Sequence, residues 1–235
     1  MAKYFLDLGA TVAVAASTFE NAQNAVARLS DVTSGEAYPI GMDVSDYNSV
    51  EHAREETIAK VGRPVDTLIN NAGISPKTKG GPARVWDMDP GQWRQVIDVN
   101  LTGAFNCIRC FAPAMKELGQ GWIINVTSIA GKIYSPIVSC HYTSSKAGLI
   151  GLTRQVAGEL GPFGVRVNAI APGRIETEMT SATSAAAYQE QIAQTPLGRF
   201  GQASEVADMA VFLASAKSSF VTGQIIDVSG GFYLT

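Results

Sequence analysis

Three things are scarce in this 235-residue chain, and each scarcity excludes a class of function. Net charge is nearly absent: 18 Lys and Arg stand against 21 Asp and Glu, and the basic residues are scattered. Such a chain offers no electrostatic footprint for nucleic acid. Long apolar runs are missing too; none approaches the roughly 18 residues of a membrane-spanning helix, and no signal-peptide pattern is visible. Cysteine is scarce and odd in number. Three thiols argue against a disulfide framework and fit a reducing cytoplasm.

Two of those thiols, Cys107 and Cys110, form a C-x-x-C. They lie inside a helical pattern running from Trp93 to Leu118, where that spacing merely places them on one face. A zinc site needs two more ligands, and only Cys140 and His141 offer any. No metal centre is expected.

What is present is a globular composition. Hydrophobic residues make up 46%, enough to bury a sizeable core in a single α/β domain spanning 1–235. Short apolar, β-branched runs alternate with helical patterns throughout. Strands are expected at Thr11–Ala16, Glu36–Met42, Val65–Asn70, from Trp122 to an end at Ser128, Val165–Ile170 and Gln224–Val228. Helices are expected at Met1–Leu8, Phe19–Leu29, from a Ser45 cap to Val61, around Asn100, around Tyr142 and at Ser204–Ala214. Alternation of this kind implies a doubly wound, mostly parallel Rossmann-type sheet with helices on both faces. Ligands of such sheets bind beyond the carboxyl ends of the strands. The unusual turns here, Asp43, Asn71-Ala72-Gly73, Ser128 and Pro172-Gly173, all directly follow predicted strands.

The stretch from Trp122 to Lys146 carries the chemistry. A buried strand ends at Ser128, and the following helix presents Tyr142 and Lys146 four positions apart, on one face. A hydroxyl at a strand end therefore meets a phenol and an ammonium, a set able to transfer a proton. Tyr-x-x-x-Lys alone is a weak signal, and its bland alternative is a packed Tyr beside a surface Lys. Likewise Ser128 alone reads as a strand-end cap, and Asn100 alone as a helix-interior amide satisfied by backbone.

In order along the chain, N-N-A-G at Asn70 to Gly73, Asn100 of V-N-L, Ser128, Y-x-x-x-K at Tyr142 and Lys146, and P-G-R-I-E-T at Pro172 to Thr177 resemble the short-chain dehydrogenase/reductase family. V-S-G-G at Val228 to Gly231 adds to the likeness, with Ser229 where an acid or amide is common. The Ser128–Tyr142 separation is one residue longer than is usual. This resemblance implies that Tyr142 is the proton donor to a small carbonyl substrate, or the base toward an alcohol. A free phenol has a pKa of about 10, and lowering it by about three units requires roughly 4 kcal/mol of phenolate stabilisation. Lys146⁺ is the implied source of that stabilisation. Ser128 is implied to orient the carbonyl, and Asn100 to kink its helix locally and hold a water linking Lys146 to solvent.

Cofactor contacts implied by the resemblance are Asp43 and Val44 at the adenine, Asn71, Ala72 and Gly73 along the ribose, Tyr142 and Lys146 at the nicotinamide ribose, and Pro172, Gly173, Ile175 and Thr177 at the carboxamide. Where an Asp would select NAD(H), this chain has Ala16, Ser17 and Thr18, so NADP(H) is expected. Within the family, Glu176 to Met179, P-L-G-R-F at Pro196 to Phe200 and the terminal G-G-F-Y resemble the 3-oxoacyl-acyl-carrier-protein reductases. The basic residues that would meet an acidic carrier are missing around Glu117–Gln120 and Gly161–Phe163, which keeps a sugar, polyol or other small alcohol as an alternative. A homotetramer on the two long helices and a substrate lid at 176–195 are further expectations.

One family element is missing: the first strand with its Gly-rich, phosphate-binding turn. About twenty residues of that βα unit are expected but not found. Its strand is the central one, so Thr11–Ala16 and Val65–Asn70 should each lose a neighbour. On one reading, Met1 is an internal methionine and the natural N-terminus is normal. On the other, the chain folds with a gap, cofactor binding is crippled, and the role is structural or regulatory.

Overall fold

The computed structural model describes residues 1–33, 35–76, 81–176 and 185–234, with backbone only at 185–188. A short helix, α1 (Ala2–Asp7), leads into β1 (Val12–Ala16), whose small and β-branched residues suit a covered strand. The Thr18 hydroxyl opens α2 (Phe19–Ser30) by accepting the Asn21 N–H at 3.2 Å. β2 (Ala37–Gly41) pairs in parallel with β1, from Val12 opposite Ala37 to Ala16 opposite Gly41. Helix α3 (Tyr47–Val61) is capped by Asp46, not by the expected Ser45. The Ser45 hydroxyl is already committed to Asp43 Oδ1 at 2.7 Å.

The second sheet runs β3–β4–β5–β6, all parallel: Thr67–Asn70, Gly121–Val126, Val165–Pro172 and Ile225–Val228. Between β3 and β4 come α4 (Pro90–Ile97), a π-helical turn at Asp98–Thr102, and α5 (Gly103–Leu118). After β4 comes α6 (Cys140–Leu160); α7 (Ala185–Ala193) and α8 (Ala203–Leu213) precede β6.

Strand alternation sends neighbouring residues to opposite layers. Leu68, Ile123, Val165 and Val167 pack with Val50 of α3, Met115 of α5 and Val156 of α6. Ile69, Ile124 and Ile170 pack instead with Phe5 of α1 and with Val206, Ala210 and Leu213 of α8. Both faces are therefore covered, which is why the strands read as continuous apolar runs. Each fully buried Ile or Val here contributes about 1.5–3 kcal/mol.

The two sheets are separate. Among the described residues no strand lies between β1 and β3, and a cavity of about 770 Å³ fills the slot, lined by residues of both. Val12 N–H bonds Glu36 O, and Ala16 O accepts the Met42 N–H, so Val12, Val14 and Ala16 face β2. Ala13 and Ala15 therefore turn their amides into the slot. On β3, Asp66 O accepts the Trp122 N–H, which turns Thr67 and Ile69 away from β4 and into the same slot. The expected loss of a neighbour on both strands is what the structure shows.

Hydrogen exchange checks this within single strands. The amides of Ala13, Ala15, Thr67 and Ile69 should exchange faster than those of Val14 and Leu68 beside them. Equal protection would mean that the slot is filled in solution.

Candidate active site

Strand β4 ends at Val126, and the next two residues do different work. The buried Thr127 donates its hydroxyl to Lys146 O at 2.9 Å, tying the strand end to α6. Ser128 opens a 3-10 turn, its hydroxyl accepting the Ala130 N–H at 3.1 Å. Gly131 closes the turn against the helix: a Cβ there would lie 2.8 Å from the Lys146 carbonyl carbon. Only glycine allows this approach. On α6, Tyr142 and Lys146 stand one turn apart, as expected, and both line a cavity of about 690 Å³ with Ser128.

Asn100 sits at the centre of the π turn and is 1% exposed. The widened turn projects its amide sideways. Its Oδ1 accepts the Ile74 N–H at 2.7 Å, and its Nδ2 donates to Ile74 O at 3.0 Å and Ser145 Oγ at 3.1 Å. Asn100 thus fastens the segment after β3 to α6. Gly73 in that segment lies close to both groups: a Cβ there would meet Lys146 Nζ tightly at 3.3 Å and Asn100 Oδ1 at an ordinary 3.5 Å. Deeper in, Asn70 Nδ2 donates to Asn125 Oδ1 and Asn125 Nδ2 to Thr153 Oγ1, a buried amide chain linking β3, β4 and α6.

The electrostatics differ from the expected arrangement in one respect. Burial pushes the Tyr142 phenol above its ordinary value, and the groups opposing that push are the Ser128 hydroxyl and the Arg174 guanidinium. Lys146 is not among them. Its Nζ donates to Val126 O at 2.8 Å and lies 5.8 Å from the centre of the Tyr142 ring. Desolvation brings Lys146 down to about 8, so it remains mostly protonated at neutrality and loses its charge just above it. Arg174, half-buried after β5, is the cation whose field reaches Tyr142.

The expected cofactor residues fall on two cavities. Ser17, Asp43, Val44, Asn71, Ala72 and Gly73 line the slot between the sheets, while Tyr142, Lys146, Pro172, Gly173 and Ile175 line the second cavity; Asn71 and Gly73 belong to both. Asp43 is held by Ser45, and Val44 O accepts from Asn106 Nδ2 at 2.9 Å. Ile175 is fixed by a bridge to Gly201. The Thr18 hydroxyl serves as a helix cap. Thr177 lies outside the described residues, as do 177–184 of the expected lid; Gln191 and Gln194 border the second cavity. The adenine-side and ribose-side residues thus fit a nicotinamide dinucleotide. Among the described residues, no Gly-rich turn stands between β1 and β3 to cradle its phosphates.

Cys107 and Cys110 are core residues, and burial pushes the Cys107 thiol up to about 12, where it is inert. Thr127, Gly131, Ser145 and Arg174 are site residues that motif reading passed over. Gly131 follows Ser128 by three positions, and Arg174 lies within P-G-R-I-E-T.

Against known proteins, a family model described as Enoyl-(Acyl carrier protein) reductase matches residues 1–233. The 3-oxoacyl-(acyl-carrier-protein) reductase FabG of Thermotoga maritima is 39% identical over 230 residues, 98% of this chain and 90% of that protein. A 3-oxoacyl-(acyl-carrier protein) reductase from Brucella melitensis superposes with a TM-score of 0.94 at 47% identity, covering 100% of this chain and 86% of that one. A Brucella melitensis reductase of that description with bound NAD gives 0.90, again at 47% identity, 100% and 86%. A gluconate 5-dehydrogenase from Burkholderia cenocepacia, in complex with NADP and tartrate, gives 0.90 at 33% identity, covering 98% and 88%. The chain belongs to the short-chain dehydrogenase/reductase family, and so to the NAD(P)-dependent oxidoreductases.

The low Lys146 value carries a sign. Between about 8 and the ordinary 10.5 the unfolded chain binds a proton at Lys146 that the folded chain does not. Stability from this group therefore rises with pH across that window, and the desolvation penalty is fully present below it. Wild type should gain stability relative to Lys146→Met as pH is raised from about 8 to about 10.5, measured by paired denaturant melts. A constant difference would show that Lys146 titrates normally.

Proposed function

We propose that this chain interconverts a carbonyl and a secondary alcohol at the Ser128–Tyr142 pair, using NADP(H). The observation carrying this reading is the convergence of Ser128, Tyr142 and Lys146 on one cavity at the carboxyl ends of β4 and β5. Tyr142 gives a proton to the substrate oxygen in reduction and takes it in oxidation. Ser128, which faces the phenol, donates to the same oxygen as negative charge develops on it. Lys146 holds the nicotinamide ribose, and Asn100 carries a water that relays protons toward Lys146. The cofactor, when bound, supplies or accepts the hydride.

The preference for NADP(H) rests on Ser17 and Thr18 after β1, where no carboxylate repels a 2′-phosphate. NAD bound to one relative and NADP to another make this a point for titration. As substrates, 3-oxoacyl thioesters come first, on likeness to the reductases of that name. Sugar acids and polyols come second, favoured by the gluconate dehydrogenase likeness. The partly exposed Trp93 and Phe105 suit a homotetramer built on the helices around Asn100 and Tyr142. Three free thiols suit a reducing cytoplasm.

Steady-state turnover of acetoacetyl thioesters against a polyol and ketone panel tests the reading, with NADPH and NADH each titrated by fluorescence. Tyr142→Phe should lower kcat about 10²–10⁴-fold. Ser128→Ala should lower it about 10²–10³-fold. Failure of the 235-residue chain to bind either nucleotide would move it to a structural or regulatory role.

A further inference from the structure

The cavity that holds Ser128 and Tyr142 has an unbalanced charge. Lys146 and Arg174 both line it, and among its described lining residues there is no Asp or Glu. Lys146 is committed to Val126 O. For the Arg174 side chain, the described residues provide neither a carboxylate within salt-bridge distance nor a hydrogen-bond acceptor. The nearest acid in sequence, Glu176, is engaged by Gln202 Nε2 at 2.7 Å.

Arg174 is also held in place. Its carbonyl accepts the Gly201 N–H at 2.8 Å, and the next residue bridges to Gly201, so the backbone beneath the guanidinium is fixed on both sides. The same lining includes apolar residues, among them Ile133, Val138 and Phe232. A half-buried guanidinium in such a cavity is costly unless an anion meets it. Its planar fork suits a carboxylate, which accepts two charge-assisted hydrogen bonds, better than a thioester carbonyl, which accepts neutral ones.

We propose that Arg174 anchors a carboxylate of the substrate, so that the compound turned over at Ser128 and Tyr142 is an oxo acid or hydroxy acid rather than a neutral ketone or thioester. This rests on the carbonyl–alcohol reading for the chemistry and decides between its two substrate classes. The carbonyl end lies at Ser128 and Tyr142, and the acid end lies at Arg174. The guanidinium field also favours negative charge at the Tyr142 oxygen, and both interactions lapse together if Arg174 is neutralised.

The test pairs two four-carbon probes, tartrate and the neutral polyol erythritol, in calorimetric titrations of the 235-residue chain without cofactor. Tartrate should bind and erythritol should not. Arg174→Gln should weaken tartrate at least about tenfold, the size expected for a charge-assisted pair, and Arg174→Lys should restore part of the loss. Ultraviolet titration of the phenols, with Tyr142→Phe as subtraction, should place Tyr142 higher in Arg174→Gln than in wild type. Circular dichroism confirms that each variant is folded. Equal binding of the two probes, no tartrate binding to wild type, or unchanged tartrate binding in Arg174→Gln would overturn the anchor. If tartrate binding depends on Arg174 but no compound is turned over, the oxidoreductase reading fails and the anchor stands. If neutral ketones and thioesters are turned over with no preference for acids, the anchor fails and the oxidoreductase stands.

Discussion

Two hydrogen bonds between the end of β4 and a single residue of α6 set the geometry on which the site depends. Thr127 Oγ1 donates to the Lys146 carbonyl, and Lys146 Nζ donates back to the Val126 carbonyl. One helical residue is thus clasped at backbone and side chain by consecutive residues of one strand. With Gly131 pressed against the same turn, α6 cannot slide along the sheet or rotate about its axis. Tyr142, one turn earlier, is therefore delivered to Ser128 as a consequence of packing. A misplacement of 1 Å would remove much of the benefit of holding reacting groups together. The clasp is built from buried partners, where an unmade bond costs about 1–3 kcal/mol.

The Lys146 ammonium has consequently been spent on structure before any ligand arrives. It satisfies a strand carbonyl in a dry environment, and desolvation brings it down to about 8. That alters the usual division of labour inferred from Tyr-x-x-x-Lys. Within this chain, the phenol is drawn toward ionisation by Ser128 and Arg174, one by hydrogen bonding and the other through space. An acceptor placed beside Lys146 would meet the donors that Val126 leaves free.

Much of the fold was legible because buried strands with apolar residues on both faces leave a plain signature. Every strand and the helices at 2–7, 19–30, 103–118 and 140–160 lie close to where the pattern placed them. The gap beside β1 and β3 was legible for the same reason, since a parallel order with one member missing leaves two edges. What escaped was local. Asp46 displaced Ser45 as the cap because Ser45 is held by Asp43, a competition between neighbours that spacing cannot rank. The commitment of Lys146 to Val126 is a tertiary contact across twenty positions of sequence. Arg174 was visible in its motif, but its meaning lay in the residues around it; among the described residues the nearest acid in sequence, Glu176, is engaged by Gln202.

The split sheet and the unbalanced cavity lie on opposite sides of Asn71 and Gly73, which border both. Asn100 fixes the segment that follows them by a paired hydrogen bond to the Ile74 backbone. Movement of β3 toward the slot would therefore be opposed at Ile74 and transmitted to Ser145 on α6 by the third bond of the Asn100 amide. The buried chain from Asn70 through Asn125 to Thr153 makes the same link one layer deeper. An open slot can then coexist with an ordered Ser128–Tyr142 pair. The side of β3 that lacks a partner relies on the packed layers and amide chains of its other side, and these are the elements that hold the chemistry in place.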